Sequence, residues 1–85
     1  MDDRSSIEIF LNHCAIERGL AKNTLSSYRR DLEKFLNYLN QNQKKISSIT
    51  PSDVAAFLHA LREAKLNESS IARNAVALRS LFAFL

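Results

Sequence analysis

The sequence predicts an all-α fold, a compact bundle of four helices, and three observations carry that expectation. The 85 residues include a single glycine and a single proline, whereas β-rich folds draw on many glycines for turns with positive φ. Apolar residues recur three and four apart over four stretches, the repeat of one helix face. No stretch alternates apolar and polar residues over the length of a strand. A chain of this length fits one domain spanning residues 1–85 and leaves no room for a second. A domain so small hides only about 60–65% of its unfolded surface, so the apolar residues of every helix must share one core.

The first helix is expected to open at Ser5, with Glu8 three residues later at the spacing of a capping box. Ile7, Phe10, Leu11 and Cys14 then share one face, and Gly19 supplies a left-handed stop. Asn23 is the expected N-cap of the second helix, whose apolar stripe is Leu25, Tyr28, Leu32, Phe35, Leu36 and Leu39. That helix ends in the polar run from Asn40 to Lys45. The third opens at Thr50, with Pro51 in its first turn and Asp53 near the positive end of the dipole. Its apolar face is Val54, Phe57, Leu58 and Leu61.

The fourth begins near Asn67, where Glu68 favours the start of a helix. Its expected inner stripe is Ile71, Ala75, Leu78, Phe82 and Leu85, yet Val76, Ala77, Ala83 and Phe84 extend apolar surface around most of the circumference. A helix apolar on nearly all sides is central or meets a neighbour, so Val76 and Phe84 are expected to be more exposed than their hydrophobicity warrants. The pattern runs unbroken into Phe84 and Leu85, and the chain is expected to belong to a longer protein.

Composition excludes several function classes. Cys14 is the only cysteine, which rules out an internal disulfide framework or a cysteine-built zinc site. No apolar run reaches the length of a signal-peptide core or a membrane span, and the chain reads as cytoplasmic. Neither a glycine-rich phosphate loop nor a nucleophile elbow is present. Tyr28 and Tyr38 read as packing residues, His13 and His59 as isolated surface or boundary residues, and no site for catalysis emerges. The net charge of +3 suits a polyanion, but its placement has to decide.

Placement singles out two helix faces. At about 100° per residue, the side of the second helix opposite its leucines holds Asn23, Ser26, Ser27, Arg30, Lys34 and Asn37. Arg30 and Lys34 stack four apart, with Asp31 and Glu33 toward the flanks. On the fourth helix, Ser69, Arg73 and Ser80 lie opposite the inner stripe, with Arg79 to one side. Free N–H groups at the helix starts near Asn23 and Asn67 add positive dipole ends. Such donor faces suit phosphate oxygens and base edges. The same composition also fits a solvated helix surface or a helical module that binds only proteins.

The stretch from Glu17 to Leu39, ERGLAKNTLSSYRRDLEKFLNYL, resembles the opening of Xer-type tyrosine recombinases and related phage integrases. ITPSDVAAFLHAL and SSIARNAVALRSLFAFL resemble the third and fourth helices of the same domain. The resemblance implies a SAM-like, core-binding helical bundle that clamps one side of double-stranded DNA with its second and fourth helices. It implies Asn23, Thr24, Ser27, Arg30, Lys34, Ser70, Arg73 and Arg79 as DNA-binding residues. It further implies that a separate C-terminal catalytic domain cuts DNA, without a metal or nucleotide cofactor, in a tetramer of subunits on two DNA sites. One departure stands out: the family often places glycine just before the fourth helix, where this chain has Lys65 and Leu66.

Overall fold

The computed structural model describes residues 2–85. It contains helices α1 (Asp3–Ile16), α2 (Lys22–Gln41), α3 (Pro51–Glu63) and α4 (Glu68–Phe84), with a single 3₁₀ turn at Ile46–Ser48 between α2 and α3. No strand occurs among the described residues. Helix α2 packs on α1 and α4, and α3 joins the bundle chiefly through α4. The centre is filled by Phe10, Leu32, Phe35, Leu39, Phe57, Leu78 and Leu81, all essentially inaccessible. Phe35 meets Phe57 edge-on at 5.2 Å between ring centres. Leu25 and Phe82, expected in the core, are only partly buried against its rim.

Two helices start earlier than their sequence signals suggest. Helix α1 is capped by Asp2, whose carboxylate accepts from the Ser5 amide at 2.7 Å. The expected Ser5–Glu8 capping box does not form, because Glu8 instead accepts from Arg29 of α2. Helix α2 begins at Lys22 behind Ala21, not behind Asn23. The left-handed Gly19, at φ +61°, turns the chain so that Leu20 packs against the core, and the helix follows at once. Burial of that leucine outweighs a side-chain cap of about 1 kcal/mol. Helices α3 and α4 start at Thr50 and Asn67 as expected; in addition Thr50 forms a capping box with Asp53, and the Asn67 side chain caps α4.

The stops of α2 and α3 have the same construction. Gln43 and Lys65 adopt left-handed φ values of 55° and 69°. Around Lys65, its own amide donates to the Arg62 carbonyl and that of Leu66 to the Leu61 carbonyl. Around Gln43, the Gln43 and Lys44 amides donate likewise to Asn40 and Leu39. Both are Schellman closures. The turn before α4 thus keeps the conformation glycine favours with a lysine in place, at a strain of about 1–2 kcal/mol offset by two satisfied helix carbonyls.

The rotation of α4 differs from expectation. Its buried residues are Ile71, Asn74, Ala77, Leu78 and Leu81, while Ala75 and Phe82 are intermediate and Leu85 is exposed. A helix apolar almost all round does not define its own inner face, and a polar contact with α2 does so here. Asp31, expected on an outer flank of α2, is 1% exposed and accepts from Arg73 and Asn74 of α4. Val76 and Phe84 are exposed, as are Ile9 and Ile16, although the Phe84 ring still lies 4.8 Å from that of His13 and 5.6 Å from that of Phe10.

Candidate nucleic-acid interface

Because α2 buries one stripe of leucines and aromatics, its opposite side is forced outward. Asn23, Arg30, Lys34 and Asn37 are exposed along that side, and Ser27 is half-buried. The Arg30 guanidinium donates to the Ser27 hydroxyl at 3.3 Å, which draws the arginine along the helix surface. Among the described residues neither Arg30 nor Lys34 has a carboxylate partner, whereas Arg4, Arg29, Lys44, Arg62 and Arg73 each have one.

The two acids of α2 explain this. Glu33 is drawn toward α1 by Arg4, at 2.6 Å, and Asp31 toward α4 by Arg73, at 2.8 Å. Hydrogen bonding from Arg4 holds the Glu33 carboxyl below its ordinary range, and Arg29 does the same to Glu8. The negative charge of α2 is therefore consumed on its two flanks. What remains on the outward row is positive.

The start of α2 adds to it. No side chain caps this helix and no acid lies in its first turn, so the amides of Lys22, Asn23 and Thr24 face outward without an internal acceptor. Asn23 is a first-turn residue and not a cap; Thr24, beside it, is half-buried. The start of α4 is different. The Asn67 side chain accepts from the Ser70 amide at 2.8 Å and from the Ser69 hydroxyl at 3.1 Å, and Glu68 lies in the first turn. The expected pair of anion-attracting helix ends reduces to one.

The fourth-helix candidates separate. Arg73, expected opposite the inner stripe, stands at the edge of α4 that meets α2, its side chain 35% exposed. Its Nε and Nη2 both donate to Asp31 at 2.8 Å. Ser70, one turn earlier, is half-buried, and its carbonyl accepts from Asn74 Nδ2. Arg79 is exposed elsewhere, on a shallow apolar groove between α3 and α4 lined by Pro51, Val54, Leu58, Ala75 and Phe82. The fold therefore gathers Asn23, Thr24, Ser27, Arg30 and Lys34 along α2, with Ser70 and Arg73 at the adjoining seam, and sets Arg79 apart.

Sequence reasoning missed the network beneath this face. Asn74 Nδ2 donates to Asp31 and to the Ser70 carbonyl, while its Oδ1 is buried with no partner. A signal was available: Asn74 lies three residues after Ile71 and four before Leu78, on the buried stripe, where a polar side chain needs a partner. Among the described residues, no cluster of histidine, cysteine, aspartate and glutamate is arranged to hold a metal, and no helix is long and apolar enough to cross a membrane.

The fold is that of a small all-α domain with a basic row on one helix, and comparison with known proteins gives the family. Residues 7–85 match the family described as "Phage integrase, N-terminal SAM-like domain". The chain belongs to that family. It is 39% identical over 80 residues to a tyrosine recombinase XerC of Roseiflexus sp. (strain RS-1), covering 93% of this chain and 26% of that protein. It is 40% identical over 82 residues to a tyrosine recombinase XerD of Chlorobaculum tepidum, covering 96% and 27%. With a tyrosine recombinase XerD of Vibrio cholerae the identity is 39% over 83 residues, covering 98% and 28%. The chain thus spans about a quarter of the length of these relatives. No solved structure matches it.

Proposed function

We propose that this chain binds duplex DNA through the outward row of α2 and the adjoining edge of α4, as the DNA-clamping part of a site-specific tyrosine recombinase. The observation that carries this reading is the row of Asn23, Ser27, Arg30 and Lys34, in which neither cation has a carboxylate partner among the described residues. Family membership supports it, since relatives that match more than nine-tenths of the chain are named tyrosine recombinases. In this reading Arg30 and Lys34 neutralise backbone phosphates, the open start of α2 accepts another, and Asn23 and Ser27 approach sugar or base edges. Strand exchange is the work of a separate catalytic domain. The exposed Ile9, Ile16, Val76 and Phe84 suit contacts with that domain or with other subunits of a tetramer on DNA. Arg79 belongs to such contacts or to a more distant phosphate. A protein acting on chromosomal or phage DNA in this way works in the cytoplasm.

The test is a salt titration of affinity for duplex DNA. Sequence-independent binding is expected at a Kd on the order of 10⁻⁴ to 10⁻⁶ M near physiological salt, weakening as salt rises. Changing Arg30 and Lys34 together to Ala should reduce the magnitude of the slope of log K against log salt by roughly two units, one for each phosphate released, with helicity unchanged. An unaltered slope in the folded double variant would make this face a merely solvated one and favour a protein-binding module.

A further inference from the structure

We propose that Asp31 is a positioning residue for DNA: from its buried place between α2 and α4 it fixes Arg73 so that the outer edge of the guanidinium extends the Arg30–Lys34 row and takes a backbone phosphate. This rests on the DNA-binding reading of that row and adds a contact to it. Asp31 is 1% exposed and engages Nε and Nη2 of Arg73, each at 2.8 Å. That grip occupies one edge of the planar group. Nη1, on the other edge, has no hydrogen-bond partner among the described residues, and the side chain is 35% exposed. Ser27 and Lys34, four residues before and three after Asp31, are its neighbours on the surface of α2. The free edge of Arg73 is thereby set beside the outward row, although the residue belongs to α4.

The construction favours orientation over stability. A buried ion pair commonly contributes no more than well-packed apolar side chains of the same volume would. This one also leaves Asn74 Oδ1 buried without a donor. Asn74 Nδ2 nevertheless ties Asp31 to the Ser70 carbonyl at the start of α4, so two side chains of the facing helix, Arg73 and Asn74, hold the carboxylate. An arginine held in place before the ligand arrives loses little rotamer freedom on binding, and its fork is matched to phosphate oxygens. A carboxylate beside a phosphate site would ordinarily repel the ligand. Here its charge is taken up by Arg73.

The sign of one substitution decides the matter. Asp31→Asn removes a negative charge next to the proposed interface, so if the network only ties α2 to α4, the variant should bind DNA as tightly as the parent or more tightly. If Asp31 positions Arg73, the same variant should bind about tenfold more weakly, the loss of one charge-assisted hydrogen bond, despite its added positive charge. Arg73→Lys keeps the charge but spends it on Asp31 with no second edge to present. It should weaken binding to a similar degree, and combining it with Asp31→Asn should cost little more than either change alone.

The measurement is the affinity of the 85-residue chain for a mixed-sequence duplex across a salt series, with helicity recorded for every variant. Should Asp31→Asn fail to fold, Arg73→Lys decides alone, and parent-like binding by it overturns the proposal. The Arg30 and Lys34 double Ala variant separates the two levels of inference. If it weakens binding while Asp31→Asn and Arg73→Lys do not, the positioning role is wrong and the DNA-binding face stands. If it too binds as the parent does, the face itself is wrong.

Discussion

The two flanks of α2 carry the same kind of contact in different surroundings. Toward α1, Arg4 forks onto Glu33 and Arg29 onto Glu8, with side-chain exposures of 59% and 37% in the first pair and 51% and 42% in the second. Toward α4, Arg73 forks onto Asp31 with exposures of 35% and 1%. Geometry alone would rank the three as equals. Surroundings separate them, because water screens the α1 pairs and competes for their donors, whereas Asp31 would be left charged and dry without Arg73. The ion pairs of the α1 flank form a solvated edge above a shared core. The α4 flank sets the rotation of a whole helix. Between them the flanks use up both acids of α2, and this is why the only charges on its outward row are positive.

The largest test of this comparison removes what both flanks rest on. Leu32 is fully buried in the middle of α2, and Leu32→Ala should cost about 2–5 kcal/mol through lost burial and a residual cavity. In a domain of ordinary marginal stability that is a large share of the total. Urea unfolding followed by circular dichroism reads the loss, and a single cooperative transition is expected in parent and variant. A loss below about 1 kcal/mol, or two separate transitions, would mean that the seams do not share a core.

A direct comparison of the flanks deletes the same side chain from each. Arg73→Ala abandons the buried Asp31 and should cost about 3 kcal/mol, the lower end for a buried pair broken on one side. Arg29→Ala abandons a carboxylate that water can reach and should cost less than about 1 kcal/mol. Thermal or urea unfolding of the two variants under one buffer checks the ranking. Equal losses would mean that the burial of Asp31 does not control the energetics.

This difference also explains what could be read from the sequence. The four helices, the starts at Thr50 and Asn67 and the Arg30–Lys34 row follow from spacing along single helices, which is local information. The rotation of α4 does not. With apolar residues at Val76, Ala77, Ala83 and Phe84 as well as on the expected stripe, several inner faces are equally hydrophobic, and the choice falls to a contact between residues 31 and 73, which are 42 apart. The stops at Gln43 and Lys65 were hidden for a different reason: left-handed closures are legible through glycine, and here other residues take the strain. The start of α2 moved with the packing of Leu20 and has no side-chain cap, while α1 takes a local cap from Asp2, ahead of the expected Ser5, which leaves Glu8 to pair with Arg29.

The smallest expected effect probes the α1 flank with a change of charge and almost none of shape. In Glu8→Gln the side chain keeps its size and one acceptor, so packing is unaltered and only the ionic part of the contact with Arg29 is lost. Hydrogen bonding from Arg29 holds the Glu8 carboxyl below its ordinary value of 4.5. A carboxyl with a depressed folded-state value binds its proton more weakly when folded than when unfolded. Its contribution is complete above 4.5 and is lost as pH falls through the lower, folded-state value. Parent minus variant stability should therefore be positive but below about 1 kcal/mol at neutral pH, and should shrink toward zero in strong acid, where both side chains are neutral. Added salt at neutral pH should shrink it as well, since the pair is solvent-exposed, while leaving the Arg73→Ala deficit largely in place. Urea unfolding of parent and variant across pH, at two salt concentrations, measures all three trends. A deficit that survives acid would trace the role of Glu8 to packing, and the contrast between a screened flank and a buried one would lose its electrostatic basis.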